Sequence, residues 1–445
     1  MNDSFVPHVL FGLDPLWVSA TVLVLAYALI VSGRINRAIV ALIGGSIVIV
    51  IGALDQSEAI AGIDWNTIGL LTGMMILVSI SRRSGMFQYL AIWSAQKTNA
   101  NPAGILLVLQ LTAAAVSALL NNVSTVLLLA PVTLAITEEL EVPPFPFLFA
   151  VVFASNIGGT ATLIGDPPNI LIGSLAGLDF NAFLVNLAPV VLVVMLVQAA
   201  LVHLLWGRGM QAKVESRVLV MGMHAPGLIT DWTLLRQSAI VIGAVLVAFV
   251  AAGPLQLQPA TIALAGAAAL MVLDNWKQHD SKQAENVHRT FSEVEWITIF
   301  FFIGLFMLVH AVEVSGLLRL LAAKLVTLTS DHVGTASAVV LWLSAALSAV
   351  LDNIPFVATM IPVIKSTAPS FGGTKEIEPL WWALALGACL GGNATLIGAS
   401  ANLTMAGIAE RNDIPFGFSR YLRYGLPMTL LSIAICQIYI WLRYF

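Results

Sequence analysis

Apolar runs of helix length, divided by short polar stretches, recur from one end of the chain to the other. A helix needs roughly 20 mostly apolar residues to cross a bilayer. On that window the pattern predicts crossings near 15–33, 37–54, 64–81, 147–175 and 182–206. A second set is predicted near 233–252, 256–274, 294–312, 380–409 and 422–444. Two further apolar stretches, 102–136 and 333–368, carry a polar pair at their middles, Asn121-Asn122 in the first and Asp352-Asn353 in the second. Each reads as a re-entrant hairpin that enters and leaves on one face; a pair of crossings is the other reading and leaves orientation unchanged. The expected fold class is an all-α polytopic membrane protein with about ten transmembrane helices, two re-entrant hairpins and two discontinuous helices.

Composition agrees. Of 445 residues, 59% are hydrophobic and 10% charged, with mean hydropathy +0.93. A soluble domain carries about 25% charged residues, so this chain must set apolar surface against lipid. The net charge of −4 and the scattering of Lys and Arg through short loops give nucleic acid no footprint. Cys389 and Cys436 both lie in apolar stretches, which argues against a disulfide framework. The opening MNDSFVPHVLFGLDP lacks the basic start of a cleaved signal peptide, so the first apolar run reads as a retained helix.

The layout puts Arg34, Arg37, Arg82, Arg83, Lys97, Arg208, Lys213, Arg217, Arg236, Lys277, Lys282, Arg289, Arg411, Arg420 and Arg423 on one side, and Arg319, Lys324, Lys365, Lys375 and Arg443 on the other. By the positive-inside rule the first side is cytoplasmic. The expected location is therefore the plasma (inner) membrane, with both termini outward and 207–232 and 275–293 as the main cytoplasmic loops.

The halves repeat. DWNTIGLLTGMMILVSISRRSG (64–85) matches EWITIFFFIGLFMLVHAVEVSG (295–316), LLNNVSTVLLLAPV (119–132) matches VLDNIPFVATMIPV (350–363), and IGGTATLIGDPPN (157–169) matches LGGNATLIGASAN (390–402). Trp65 and Trp296, Asn122 and Asn353, and Pro131 and Pro362 are each 231 positions apart, and Gly158 and Gly391 are 233 apart. Such agreement at separate places marks a duplication. Each unit has an odd number of crossings, so the second copy is inverted, the architecture of many secondary transporters with a site near the midplane. The expected organisation is a first repeat at 1–207 (hairpin 102–136, broken helix 147–175), a cytoplasmic linker at 208–232, and a second repeat at 233–445 (hairpin 333–368, broken helix 380–409).

The candidate chemistry sits at the interruptions. Gly158-Gly159, Gly391-Gly392 and Pro167-Pro168 would destabilise a continuous helix in mid-span. Unpaired backbone in hydrocarbon costs several kcal/mol, so such a break survives only where protein buries it or water reaches it. Broken ends also expose peptide dipoles, about half a charge each. Thr160, Thr162, Asn169, Asn393, Thr395 and Asn402 supply donors and acceptors there, and Asn121, Asn122, Ser124, Thr125 and Asn353 lie at the hairpin tips. All are candidate solute-binding residues, with polar glue between helices as the alternative. Cys389 aligns with Asn156; a thiol there could meet a soft ligand or simply pack. Asp166 and Asp352 are expected deep in the membrane, where an acid is costly and usually functional. They are candidates for proton or ion coupling, although Asp166 could instead cap the second half-helix. Asp166 aligns with Ala399, and Asp352 with Asn121.

The stretches NNVSTVLLLAPVT (121–133), SNIGGTATLIGDPPN (155–169), LDNIPFVATMIPV (351–363) and GACLGGNATLIGASAN (387–402) resemble the arsenite efflux pump and pink-eyed-dilution protein group of the ion transporter superfamily. More distantly, GGTATLIGDPPN is similar to the site motif of dicarboxylate and sulfate symporters and of sodium/proton antiporters. The resemblance implies a transport core of two hairpins and two discontinuous helices carried on a scaffold, an elevator-like or rocking motion, and often a homodimer. It implies arsenite and antimonite export in exchange for protons, with sodium/proton antiport or anion transport as alternatives. Arsenite is largely uncharged near pH 7, and Asn- and Thr-rich breaks could serve its hydroxyls.

No Lys follows a Gly, so a Walker A pair is absent and active export must draw on an ion gradient or a separate ATPase subunit. Two buried acids also fit an intramembrane aspartyl protease, but the Gly, Asn and Thr around them are duplicated while the acids are not. HExxH is absent. No enzyme activity, cofactor or bound metal is expected. The expected partners are lipid, a small inorganic solute, and protons or sodium.

Overall fold

The computed structural model describes residues 7, 9, 12–223, 225–255, 257–276, 278–330 and 332–445. Most of the opening stretch on which a retained helix was argued, and Lys277, lie outside the described residues. The first half runs through α1 (Pro15–Ser32), α2 (Arg37–Val50), α3 (Gln56–Ala61), α4 (Trp65–Arg82), α5 (Met86–Lys97), α6 (Pro102–Leu119), α7 (Asn122–Glu139), α8 (Phe145–Thr160), α9 (Pro167–Ala176) and α10 (Phe180–Leu205). Short α11 (Val214–Gly222) lies between the halves. The second half holds α12 (Trp232–Val250), α13 (Ala252–Leu255), α14 (Pro259–Asn275), α15 (Asp280–Ser292), α16 (Trp296–Val314), α17 (Leu317–Leu328), α18 (Val333–Ser348), α19 (Asn353–Thr367), α20 (Glu378–Gly391), α21 (Ser400–Arg411) and α22 (Phe418–Tyr444).

Polar residues at the ends of the apolar runs start the helices. Asp14, Asn36, Asp64, Asn101, Asn121, Asp179 and Asp231 each accept a backbone N–H of the first turn of the helix that follows. These bonds satisfy donors that a helix N-terminus leaves free. Among the described residues, α1, α6, α12 and α16, α10 with its short extension, and α22 are long and apolar enough to cross a membrane. The protein is an all-α, multi-pass structure of two inverted repeats, with the hairpins α6–α7 and α18–α19 and the discontinuous helices α8/α9 and α20/α21 at the expected places.

The repeats embrace each other. Helix α2 of the first half packs along α16 of the second, and α14 of the second packs along α4 of the first. Within each half the first hairpin arm lies along the broken helix, α6 on α8 and α18 on α20. The second arm reaches across, α7 to α21 and α19 to α9. The result is two helix groups: α6–α10 with α18–α22 around the breaks, and α1, α2, α4, α12, α14 and α16 beside them. The 12-residue helices α5 and α17 were not expected, being too short for a span-length window. They begin after Gly85 (φ 82°) and Gly316 (φ 89°), equivalent turns that need left-handed backbone.

Close helix contact rests on equivalent glycines. A Cβ at Gly73 would sit 2.6 Å from the Ala263 carbonyl carbon on α14, and one at Gly304 would sit 2.4 Å from that of Ala41 on α2. Lipid supplies little hydrophobic drive between helices, so close backbone packing carries much of the association. Gly73→Val and Gly304→Val are each expected to lower the thermal midpoint in detergent by several degrees. Gly243→Val, with open space at its Cβ position, serves as the control.

Candidate functional site

The breaks are real. Helix α8 ends at Thr160 and α9 begins at Pro167; α20 ends at Gly391, a short 3-10 turn covers Gly392–Ala394, and α21 begins at Ser400. Both non-helical segments are closed the same way. Asn169 Nδ2 donates to the carbonyls of Thr160 (3.1 Å) and Thr162 (2.9 Å), and Asn402 Nδ2 to those of Gly392 (2.9 Å) and Thr395 (2.8 Å). Thr162 Oγ1 donates to Ala118 O and Thr395 Oγ1 to Ala349 O, each at 2.5 Å, which ties each break to its own hairpin. The same hydroxyls accept from the N–H groups of Gly165 and Gly398, each at 3.1 Å.

The glycine pairs let backbone approach backbone. A Cβ at Gly158 would lie 2.1 Å from Ala114 O, and one at Gly391 2.5 Å from the Ala345 Cα, so each broken helix presses on its hairpin arm. Gly159 and Gly392 face Gly165 O and Gly398 O across their own breaks, at 2.6 and 2.7 Å from the ideal Cβ.

The two breaks then meet through Asn156. Its Nδ2 donates to Asn393 Oδ1 (2.8 Å) and Asn402 Oδ1 (2.9 Å), and its Oδ1 accepts from Asn122 Nδ2 (3.0 Å). Asn393 Nδ2 donates to Phe153 O at 3.1 Å, and Thr160 Oγ1 to Asn156 O at 2.8 Å. Cys389, the counterpart of Asn156, donates from Sγ to Asn169 Oδ1 at 3.4 Å. Asn156, Asn169, Asn393, Asn402 and Cys389 are all buried, and their hydrogen bonds join protein to protein. They hold the breaks together, the alternative that the sequence left open. Cys389 and Cys436 are both free.

A smaller set of the candidates lines a cavity. A cavity of about 30 Å³, room for one or two waters, is walled in part by Asn121, Asn122, Asp166, Asn353, Arg37 and Glu295. Asp166 is 1% exposed, and neither of its oxygens has a hydrogen-bond partner among the described residues, although Cys389, Asn122 and Asn353 surround it. It stands at the N-cap position of α9 without making the capping bond, so capping does not account for it. A buried carboxylate with empty lone pairs is costly unless a proton or a cation joins it. Asn121 caps α7 through Ser124 N–H at 2.6 Å, and Thr125 Oγ1 donates to Asn121 O at 3.0 Å. The Ser124 side chain lines a second cavity of about 120 Å³ with Ser79, Arg82 and Glu293, which shares Met75 and Glu295 with the first. Asp352 pairs with Arg37. Arg37 was counted by sequence among the loop cations; it opens α2, and its side chain reaches the site. Loop position alone carried no signal of that.

Residues 27–387 match the family described as "Citrate transporter" (CitMHS). The chain belongs to this family. An uncharacterized transporter of Mycobacterium tuberculosis (strain ATCC 25618 / H37Rv) is 42% identical over 96% of this chain and 98% of its own length. The P protein of Homo sapiens is 32% identical over 95% of this chain and 59% of its own length, which bears out the resemblance to the pink-eyed-dilution group. The crystal structure of the Alcanivorax borkumensis YdaH transporter, described as having an unusual topology, shares the fold with TM-score 0.58 and 14% identity over 96% of this chain and 98% of that one. This CitMHS chain is a membrane transporter.

Asn156→Ala is expected to strand the amides of Asn122, Asn393 and Asn402. A buried polar group left unpaired costs about 1–3 kcal/mol. The thermal midpoint in detergent should therefore fall clearly, and more than for Asn181→Ala, whose exposed bond to Val250 O leaves nothing buried unpaired.

Proposed function

We propose that this CitMHS transporter is a secondary active exporter that moves arsenite or antimonite out in exchange for protons, with Asp166 as the proton-carrying group. The observation that carries this reading is the buried Asp166 carboxylate, with polar side chains but no cation beside it among the described residues, set where the two breaks and the hairpin tips converge. Asn122 and Asn353 beside it offer neutral polar contacts suited to the hydroxyls of an uncharged solute. The cavity admits one or two waters, so a larger solute requires the neighbouring helix groups to part. The outward termini and the inner membrane belong to the same proposal, on the positive-inside argument.

One observation favours sodium/proton exchange as a second reading. Asp166 and Glu295 line the cavity beside the single guanidinium of Arg37, which Asp352 already pairs, and an excess of acid attracts cations. The same excess disfavours a free polycarboxylate such as citrate, the solute in the family's description.

Uptake into inverted vesicles or proteoliposomes under an imposed pH gradient tests these readings. Arsenite uptake that dissipates the gradient is expected, with Asp166→Asn abolishing the proton flux by tenfold or more. Sodium-dependent flux without arsenite movement would select the second reading. Unchanged proton coupling in Asp166→Asn would refute the role of Asp166.

A further inference from the structure

Arg37 is rooted in one helix group and clasps the other. It is the first residue of α2, which packs along α1 and α16. Its Nη1 pairs with Asp352 at the second hairpin tip and donates to Ser400 Oγ, the first residue of α21, at 2.8 Å. Its Nη2 reaches Thr298 Oγ1 on α16 at 3.4 Å, and the guanidinium lies 5.1 Å from the centre of the Phe301 ring. The side chains of Arg37 and Asp352 are 24% and 13% exposed, so the pair is largely withdrawn from water. Tyr27 of α1 adds a neutral tie to the same hairpin, its Oη donating to Pro355 O at 2.7 Å. The charged groups acting on Asp352 are Arg37 from α2 and Asp166 at the start of α9, while Glu295 at the start of α16 acts on Arg37.

The clasp has no counterpart. Helix α14 takes the place of α2 in the other half, and it opens with Pro259 behind Gln258, where α2 opens with Arg37 behind Asn36. The residue equivalent to Asp352 is Asn121. Inverted repeats provide two pseudo-symmetric arrangements, and the ion pair can form in only one of them. When the hairpin tip leaves α2, Asp352 loses its only positive neighbour among the described residues and keeps Asp166, which belongs to its own helix group. Removing one partner of a buried pair leaves an uncompensated charge, which is strongly unfavourable.

We propose that Arg37 is the resident counter-ion of Asp352, and that a monovalent cation, a proton or sodium, replaces it whenever the second hairpin tip parts from α2. This rests on the coupled-transport reading above and extends it. Asp166 is the solute-side acid, whereas the Arg37–Asp352 pair makes movement conditional on cation binding. The unit without its cation stays fastened, which suppresses futile leak.

The test uses the full chain in liposomes with spin labels at Ile39→Cys on α2 and Val350→Cys beside the hairpin tip, both exposed positions. The native cysteines are buried. A short separation is expected at high pH without sodium, and a longer population should grow as pH falls or as sodium is added; which of the two acts identifies the cation. Arg37→Gln should populate the long separation at every pH, Arg37→Lys should restore part of the short one, and Asp352→Asn should lose the response to pH and sodium. Should Arg37→Gln fail to fold, Arg37→Gln/Asp352→Asn removes both charges and is expected to show the long separation without response. Distance distributions in Arg37→Gln and Asp352→Asn identical to the parent would overturn the proposal. A parent protein that moves no solute, yet shows the cation-dependent distances, would sink the transport reading and leave the clasp standing.

Discussion

Backbone that leaves the helix inside hydrocarbon has no water to satisfy it, and the structure is organised around that demand. Two stretches, 161–166 and 392–399, abandon α-helical bonding in mid-span. Their carbonyls are taken by Asn169 and Asn402, and their Thr162 and Thr395 hydroxyls reach back to the hairpin carbonyls. These bonds join the hairpin, the two half-helices and the break. The glycine pairs follow from the same demand, because only a residue without Cβ lets the broken helix close on its hairpin arm. Asn156 then joins the two pieces across the repeat interface.

Against this shared skeleton the differences between the halves stand out. Asp166 faces Ala399 in the alignment, Asp352 faces Asn121, Asn156 faces Cys389, and the N-terminus of α2 carries Arg37 where α14 carries Pro259. The duplicated residues make the frame; the unduplicated ones carry charge. A symmetric frame makes two arrangements similar in energy, and asymmetric charges make the choice between them depend on what is bound. One acid is paired with Arg37, and the other has no cation beside it among the described residues.

Much of this was legible beforehand because two periodic signals coincide. Apolar length marked the spans, and the constant offset between halves marked which interruptions mattered. The breaks fell inside the expected stretches for both reasons, although the first opens just after Gly158-Gly159, which stay in α8, and the second at Gly392. The part played by the asparagines was not legible. Asn156 and Asn402 are far apart in sequence, and only their packing reveals that the Asn156 amide bonds to Asn402. Helices α5 and α17 escaped a window tuned to bilayer thickness. Arg37 escaped because a cation between two spans ordinarily marks the membrane face, and nothing local says that its side chain turns back toward Asp352.

We infer that the paired breaks exist to hold a solute and its coupling ion beside Asp166. A high-resolution density map of the chain in lipid nanodiscs, with transported solute present, tests it most directly. The account predicts solute density bounded by Asn122, Asp166 and Asn353, with the Asn156 amide still bridging Asn393 and Asn402. Solute density remote from both breaks, with Asp166 facing only packed side chains, would contradict it.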